Sequence, residues 1–199
     1  MYNIQHSTTQ IHYSFHHFSK LVQLGAILRC ANFKKKRGIR VSLLVEWLLT
    51  TVFSRYSLFR ADDPSGFSKR TVRNYLNDTQ INWQRFVVLI AIKLIQYIQR
   101  FTDSRRRQAL IVDDSLFKRE FSKKTELLSR VFDHDNQCYF KGFRTLTVGW
   151  SDANTFLPVN FALMSSRKQL NQFGRFKHLD GRSLAAKCRA PAQYKDMAC

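Results

Sequence analysis

The chain is predicted to be an α/β (α+β) protein: a helical region over residues 1–104, a sheet-forming region over 105–165 and a basic tail over 166–199. Two observations carry this. Val41, Leu44, Val45, Leu48 and Leu49 recur at the spacing that lines one face of a helix. After the basic connection at 102–108 the pattern turns strand-like: Ala109 to Val112 are all apolar, and 143–150 is rich in β-branched and aromatic residues.

Residues 1–20 are polar and are expected to form a solvated segment; neighbouring His16 and His17 would point in different directions on a helix and do not make a metal site. Residues 21–31 suit a short helix, and 33–40 a basic turn punctuated by Gly38. A buried helix follows over Val41–Phe53, then a loop over 54–67 with the turn cluster Asp62, Asp63, Pro64, Ser65 and Gly66. Ser68 is placed to cap a helix over 69–77. Residues 83–101 form the longest helix, and Phe53, Tyr56, Phe59 and Phe67 are assigned to the core. In the sheet region the expected strands are 109–112, 143–150 and Phe156–Met164, the last two joined by a hairpin at 152–155. Pro158 marks the start or edge of its strand. Residues 183–187 could begin a helix, which Pro191 would stop.

Charge narrows the function. A net charge of +19 calls for a polyanionic partner, and nucleic acid fits best because lysines and arginines release condensed counterions from phosphates. A ribosome-associated RNA-binding role is open on charge alone. No basic amphipathic anchor is visible, and the apolar stretch at 86–92 falls short of the about 20 residues that span a bilayer, so no membrane partner is expected. Cys30, Cys138, Cys188 and Cys199 lack CxxC spacing and read as free thiols of a reducing compartment. With no signal-peptide pattern, a cytoplasmic, nucleoid-associated protein is expected.

The leading chemical candidate is the adjacent pair Asp113 and Asp114 at the end of the apolar run. A buried strand ending in carboxylates is how a sheet presents ligands to Mg²⁺ for phosphoryl transfer, and such sites need further carboxylates. Side chains alternate along a strand, so only one of the pair faces a common site. From the pattern alone, an Asp that merely caps a turn is slightly the better explanation. Asp133, His134 and Asp135 could bind a metal or form an ordinary polar loop. A stand-alone nuclease using Asp113, Asp114, Asp133 and Asp135 has no evident common geometry. For contact with DNA, Lys69, Arg70, Arg73 and Asn74 fall near one face of their helix and are residue types that read base edges or clamp phosphates. Lys34, Lys35, Lys36 and Arg37, and Arg105, Arg106 and Arg107, would face phosphates; a solvated basic surface is the alternative.

The block running Leu110-Ile-Val-Asp-Asp-Ser-Leu-Phe-Lys-Arg119, with residues 122–134, 141–152 and 154–163, resembles the DDE transposases of bacterial insertion sequences, specifically the insertion-sequence-4 type group. Residues 52–60, 68–77 and 82–86 resemble that group's helical N-terminal region, and 180–187 its next basic segment. The resemblance implies a partial ribonuclease-H-like core, the first three strands, and binding to the terminal repeats of an insertion element. It also implies Mg²⁺ (or Mn²⁺) held by a first Asp, a later Asp and a Glu. The family's Asp followed by Ser or Thr maps the catalytic, metal-binding carboxylate onto Asp114, with Asp113 as fallback. This sequence has no Glu beyond Glu126, and beyond Asp135 only Asp152, Asp180 and Asp196. The expectation is therefore a truncated transposase fragment without bound metal or cleavage activity. The alternative is a non-catalytic DNA-binding protein that inhibits or regulates transposition, with an intact transposase as its partner.

Overall fold

Helices and sheet fall in separate parts of the chain. The computed structural model describes residues 4–35, 38–54, 57–62, 66–103, 105–123, 125–166, 171–173, 180–184 and 186–187. Lys36, Arg37, Tyr56, Pro191, Asp196, Cys188 and Cys199 lie outside them. The chain divides into two compact units, Met1–Leu94 and Ile95–Cys199.

The helices are α1 (Ile4–Leu21), α2 (Leu24–Cys30), α3 (Val41–Phe53), α4 (Lys69–Leu76) and α5 (Trp83–Gln99). The first is a helix where the sequence marks only a solvated segment, and most of its described side chains are indeed exposed. Phe15 is buried and Phe18 packs on the same core, so aromatic residues anchor a stretch whose composition is otherwise polar. Val22, Leu24, Ile27, Leu28, Leu44, Val45 and Val72 make up much of that core. Phe33 sits at its aromatic centre, with ring centroids 4.9 Å from Trp83 and 4.8 Å from Phe86. Two assignments to the core fail: Phe53 and Phe59 are exposed, Phe59 by 80%. Gly38, at φ +86°, takes the left-handed turn that its place between helices requires.

Helix α4 has the ends its sequence prescribes. Ser68 accepts from the Thr71 N–H at 3.4 Å, and the Asn77 side chain donates to the Arg73 carbonyl at 2.9 Å. Eight residues are too few to hold a helix alone. Its hold on the unit is the burial of Val72 and Tyr75.

The sheet has four strands, β1 (Ala109–Lys118), β2 (Ser129–Asp133), β3 (Cys138–Ser151) and β4 (Phe156–Met164). The expected count of three is corrected by β2, which forms a hairpin with an N-terminal extension of β3. All pairings are antiparallel. Gly142 pairs with both Lys118 and Ser129, and Arg144 with both Leu116 and Met164, so β1 takes one edge of β3 while β2 and β4 share the other end to end. The register shifts between Val148 and Gly149, opposite Pro158, which places the proline on an edge strand at an irregularity. A Cβ at Gly149 would lie 2.1 Å from the Phe156 ring, so a larger residue there would displace that half-exposed ring. Leu128, Ser129, Phe143 and Trp150 are buried around the sheet.

β1 departs from expectation in two ways. It runs on to Lys118, so Asp113 and Asp114 lie mid-strand, paired in register with Thr147 and Leu146. It is also not buried: Leu110 is 70% exposed and Val112 63%. No helix among the described residues is long and apolar enough to cross a membrane.

Candidate functional site

The pleat decides what the two adjacent carboxylates can do together. Register pairs Val112 with Val148, Asp114 with Leu146 and Leu116 with Arg144, so these six side chains share one face of the sheet. Asp113 is on the other face with Ser115, Thr145 and Thr147. The Arg144 guanidinium reaches diagonally to Asp114, Nε to Oδ2 at 3.0 Å, and both side chains are partly exposed. Asp113 accepts a hydrogen bond from the Ser115 hydroxyl. The pair thus splits into a carboxylate neutralised by arginine and one tied to its own strand.

The Asp133 cluster is a turn. Asp133 ends β2 and takes N–H groups from Asp135 at 3.0 Å and Asn136 at 3.4 Å, the Asn136 side-chain amide at 2.8 Å and the Lys118 ammonium at 3.2 Å. The Asn136 side-chain hydrogen bond does most to push its pKa down to about 2, helped by Lys118 and the two backbone donors against a desolvation cost. The polar-loop reading describes this geometry. His134 is exposed and stacks edge-on against Phe132.

Asp152 lies in the connection between β3 and β4. It is buried, accepts from the N–H groups of Thr155 at 2.7 Å and Asn154 at 3.2 Å, and pairs with Arg106 at 3.2 Å. Its pKa is held low by the Thr155 N–H first, then by Asn154 and Arg106, against desolvation. Turned to its complementary orientation, the Asn154 amide oxygen also accepts from Arg106 at 3.1 Å. The turn was legible in Asp152-Ala-Asn-Thr155; the distant arginine was not.

No group of three or more His, Cys, Asp or Glu able to hold a metal ion occurs among the described residues. With Asp113 and Asp114 on opposite faces and Asp114 paired to Arg144, these residues do not fit a two-metal cage.

The basic candidates divide between the units. In the helical unit, Lys34, Arg70, Arg73 and Asn74 are exposed and Lys35 partly so. Lys69 instead folds back to donate to the Ala61 carbonyl at 2.9 Å. The Asn32–Lys35 turn and α4 together wall a cavity of about 620 Å³, a juxtaposition that no local pattern announces. In the sheet unit, Arg105 is bound to Asp103, with its closest contact at 2.8 Å, Arg106 is bound to Asp152, and Arg107 is exposed.

A sequence family described as DDE superfamily endonuclease matches residues 58–197. No curated protein and no solved structure matches the chain.

Proposed function

Because the chain belongs to the DDE superfamily of endonucleases, we propose that it handles DNA as a transposase of that superfamily does, and that in this chain the activity is binding rather than cleavage. The narrower kinship with the insertion-sequence-4 type group, and recognition of an element's terminal repeats, belong to this proposal. The observation that carries it is the division of labour between Asp114 and the helical unit. Asp114 lies in the matched region but faces an arginine instead of other carboxylates. Arg70, Arg73 and Asn74 stand exposed on the capped helix α4.

Asp114 is assigned as the first carboxylate of a DDE set. Mg²⁺ or Mn²⁺ chemistry would require further carboxylates on the Asp114 face. A chain that binds element ends without cutting them competes with an intact transposase, which makes regulation of transposition its consequence.

The test is fluorescence anisotropy with the full chain and duplexes carrying the element's terminal sequence or a scrambled one, over a range of salt. Tighter binding to the terminal sequence is expected, with log K falling linearly in log salt. The same duplexes incubated with Mg²⁺ or Mn²⁺ should show no nicking. Metal-dependent nicking abolished by Asp114→Ala would overturn the binding-only reading. Absence of binding at low salt would overturn the DNA reading itself.

A further inference from the structure

β1 is an edge of its sheet. Among the described residues it pairs with β3 alone, and that ladder continues one residue past Lys118, where the Arg119 N–H donates to the Lys141 carbonyl at 2.8 Å. The other side offers the backbone of a strand ten residues long. Such an edge is a template for another strand, and proteins commonly blunt it with bulges, short strands or scattered lysines. β1 keeps an unbroken register with β3, and its charges are grouped rather than scattered. The carboxylates Asp113 and Asp114 lie together near its middle, and the cations Lys118 and Arg119 lie together at its end.

A strand with acid in one part and base in another can complement its own antiparallel copy. Two copies related by a twofold axis normal to the sheet oppose residues of the same face, so the axis passes through a residue. An axis through Val112 sets Asp113 against Ile111 and Asp114 against Leu110. Through Asp113 or Asp114, a carboxylate meets itself. Through Ser115, Asp113 meets Phe117 and Asp114 meets Leu116, and through Phe117, Asp114 meets Glu120. Of the axes from Val112 to Phe117, the one through Leu116 sets Asp113 against the partner's Arg119 and Asp114 against the partner's Lys118. Symmetry makes each of these pairs twice.

The side chains suit that register. All four charged residues are exposed. Arg119 lies over the Phe117 ring at 4.6 Å, on the face that carries Asp113. On the other face Asp114 is held by Arg144 at 3.0 Å and Lys118 by Asp133 at 3.2 Å. Pairing would bring Asp114 beside the partner's Lys118 and so join the two ion pairs into one row of alternating sign. Beyond the ladder, Phe121 is 96% exposed, and the same register carries it toward the partner's exposed Ile111.

We propose that β1 pairs with β1 of a second copy of this chain, antiparallel about an axis at Leu116, and joins the two four-stranded sheets into one. Main-chain hydrogen bonds between the two edges supply affinity, and the opposed charges fix the register. The contact uses the same patch on both copies, so it closes at two. It needs no DNA and goes beyond the DNA-binding reading.

The experiment is sedimentation of the full chain, without DNA, over a series of concentrations. A monomer–dimer equilibrium that stops at two copies is expected. Asp113→Arg opposes arginine to the partner's Arg119, and Arg119→Asp opposes aspartate to the partner's Asp113. Each should raise the dissociation constant of the dimer about tenfold, because two symmetry-related pairs turn from attraction to repulsion. Combining Asp113→Arg with Arg119→Asp restores opposite charges and should return the constant to that of the unaltered chain. Equal melting temperatures of dilute, monomeric samples would show the variants folded. If one of them melts lower, Asp113→Asn and Arg119→Gln take its place, and each should weaken the dimer severalfold. A chain that stays monomeric at every soluble concentration overturns the proposal. So does a dimer indifferent to these substitutions, a combined variant no tighter than the single ones, or growth beyond two copies.

Discussion

Placing positive charge on β1 tests the claim that the strand carrying Asp113 and Asp114 lies open. The double variant Leu110→Lys, Val112→Lys puts two lysines on the Asp114 face. Full burial of a Leu or Val contributes about 1.5–3 kcal/mol. With Leu110 70% and Val112 63% exposed, roughly a third of each remains to be lost, or about 0.5–1 kcal/mol per site. Lower strand propensity adds no more than about 1 kcal/mol. The total, about 1–3 kcal/mol, leaves a domain of ordinary stability folded. Leu128→Ala is the internal standard: Leu128 is 1% exposed, and emptying such a site costs about 2–5 kcal/mol. Calorimetry should show the double lysine variant melting above Leu128→Ala. Light scattering after size exclusion should show less self-association, because lysines on an exposed edge strand block edge-to-edge pairing. A loss equal to or greater than that of Leu128→Ala would refute the reasoning, since it would mean that β1 is covered in solution.

Other expectations follow from the same geometry. Asp114→Asn and Arg144→Gln should each lower stability by less than about 1 kcal/mol, measured by urea denaturation, because the ion pair is partly exposed and screened. A larger, salt-insensitive loss from either would show the pair to be buried. Asp133, with its pKa lowered to about 2, contributes stability that is complete above the ordinary carboxylate range and lost as pH falls through about 2. The acid transition should therefore flatten between about pH 4 and pH 2 in Asp133→Asn, and an unaltered transition would count against the turn network. Ser68→Ala should cost about 0.5–1 kcal/mol, the low end for a cap because its acceptor distance is long, with Ser68→Gly milder. Thermal melts check this, and a neutral Ser68→Ala would remove the cap from the account of α4.

The sequence showed α3, α4 and α5 plainly because their signals are local: apolar periodicity, a serine cap, an asparagine at the end of α4. It concealed α1, where Phe15 and Phe18 do the anchoring and few aliphatic residues mark a stripe. The sheet was legible where alternation is long, in β3 and β4. It was illegible where pairing overrides propensity. Asp113, Asp114 and Ser115 are poor strand formers, yet β3 extends alongside them in unbroken register and holds them in β1. β2 is short and acquires its order from the N-terminal extension of β3. Site geometry was hidden for a related reason. The partners that decide it, Arg144 for Asp114 and Arg106 for Asp152, are brought in by the fold from distant points of the chain and leave no mark in any local window.

The charge of +19 is not spread evenly over the tasks it could perform. In the sheet unit, four basic side chains are engaged by the unit's own carboxylates, Arg105 by Asp103, Arg106 by Asp152, Lys118 by Asp133 and Arg144 by Asp114, while Arg107 stands exposed. A guanidinium already holding a carboxylate releases few counterions when a phosphate arrives. Arg70 and Arg73 instead stand exposed on α4, so each should account for about one unit of the salt slope of DNA binding. Arg70→Ala and Arg73→Ala should flatten that slope and lower affinity, with thermal stability unchanged. Arg106→Ala should leave the slope nearly intact and lower the melting temperature, because it strips the buried Asp152 of its cation. Measuring log K against log salt for the three variants separates the alternatives. If Arg106→Ala flattens the slope as much as Arg70→Ala does, the arginine leaves Asp152 for the phosphate, and the DNA-contacting surface extends onto the sheet unit.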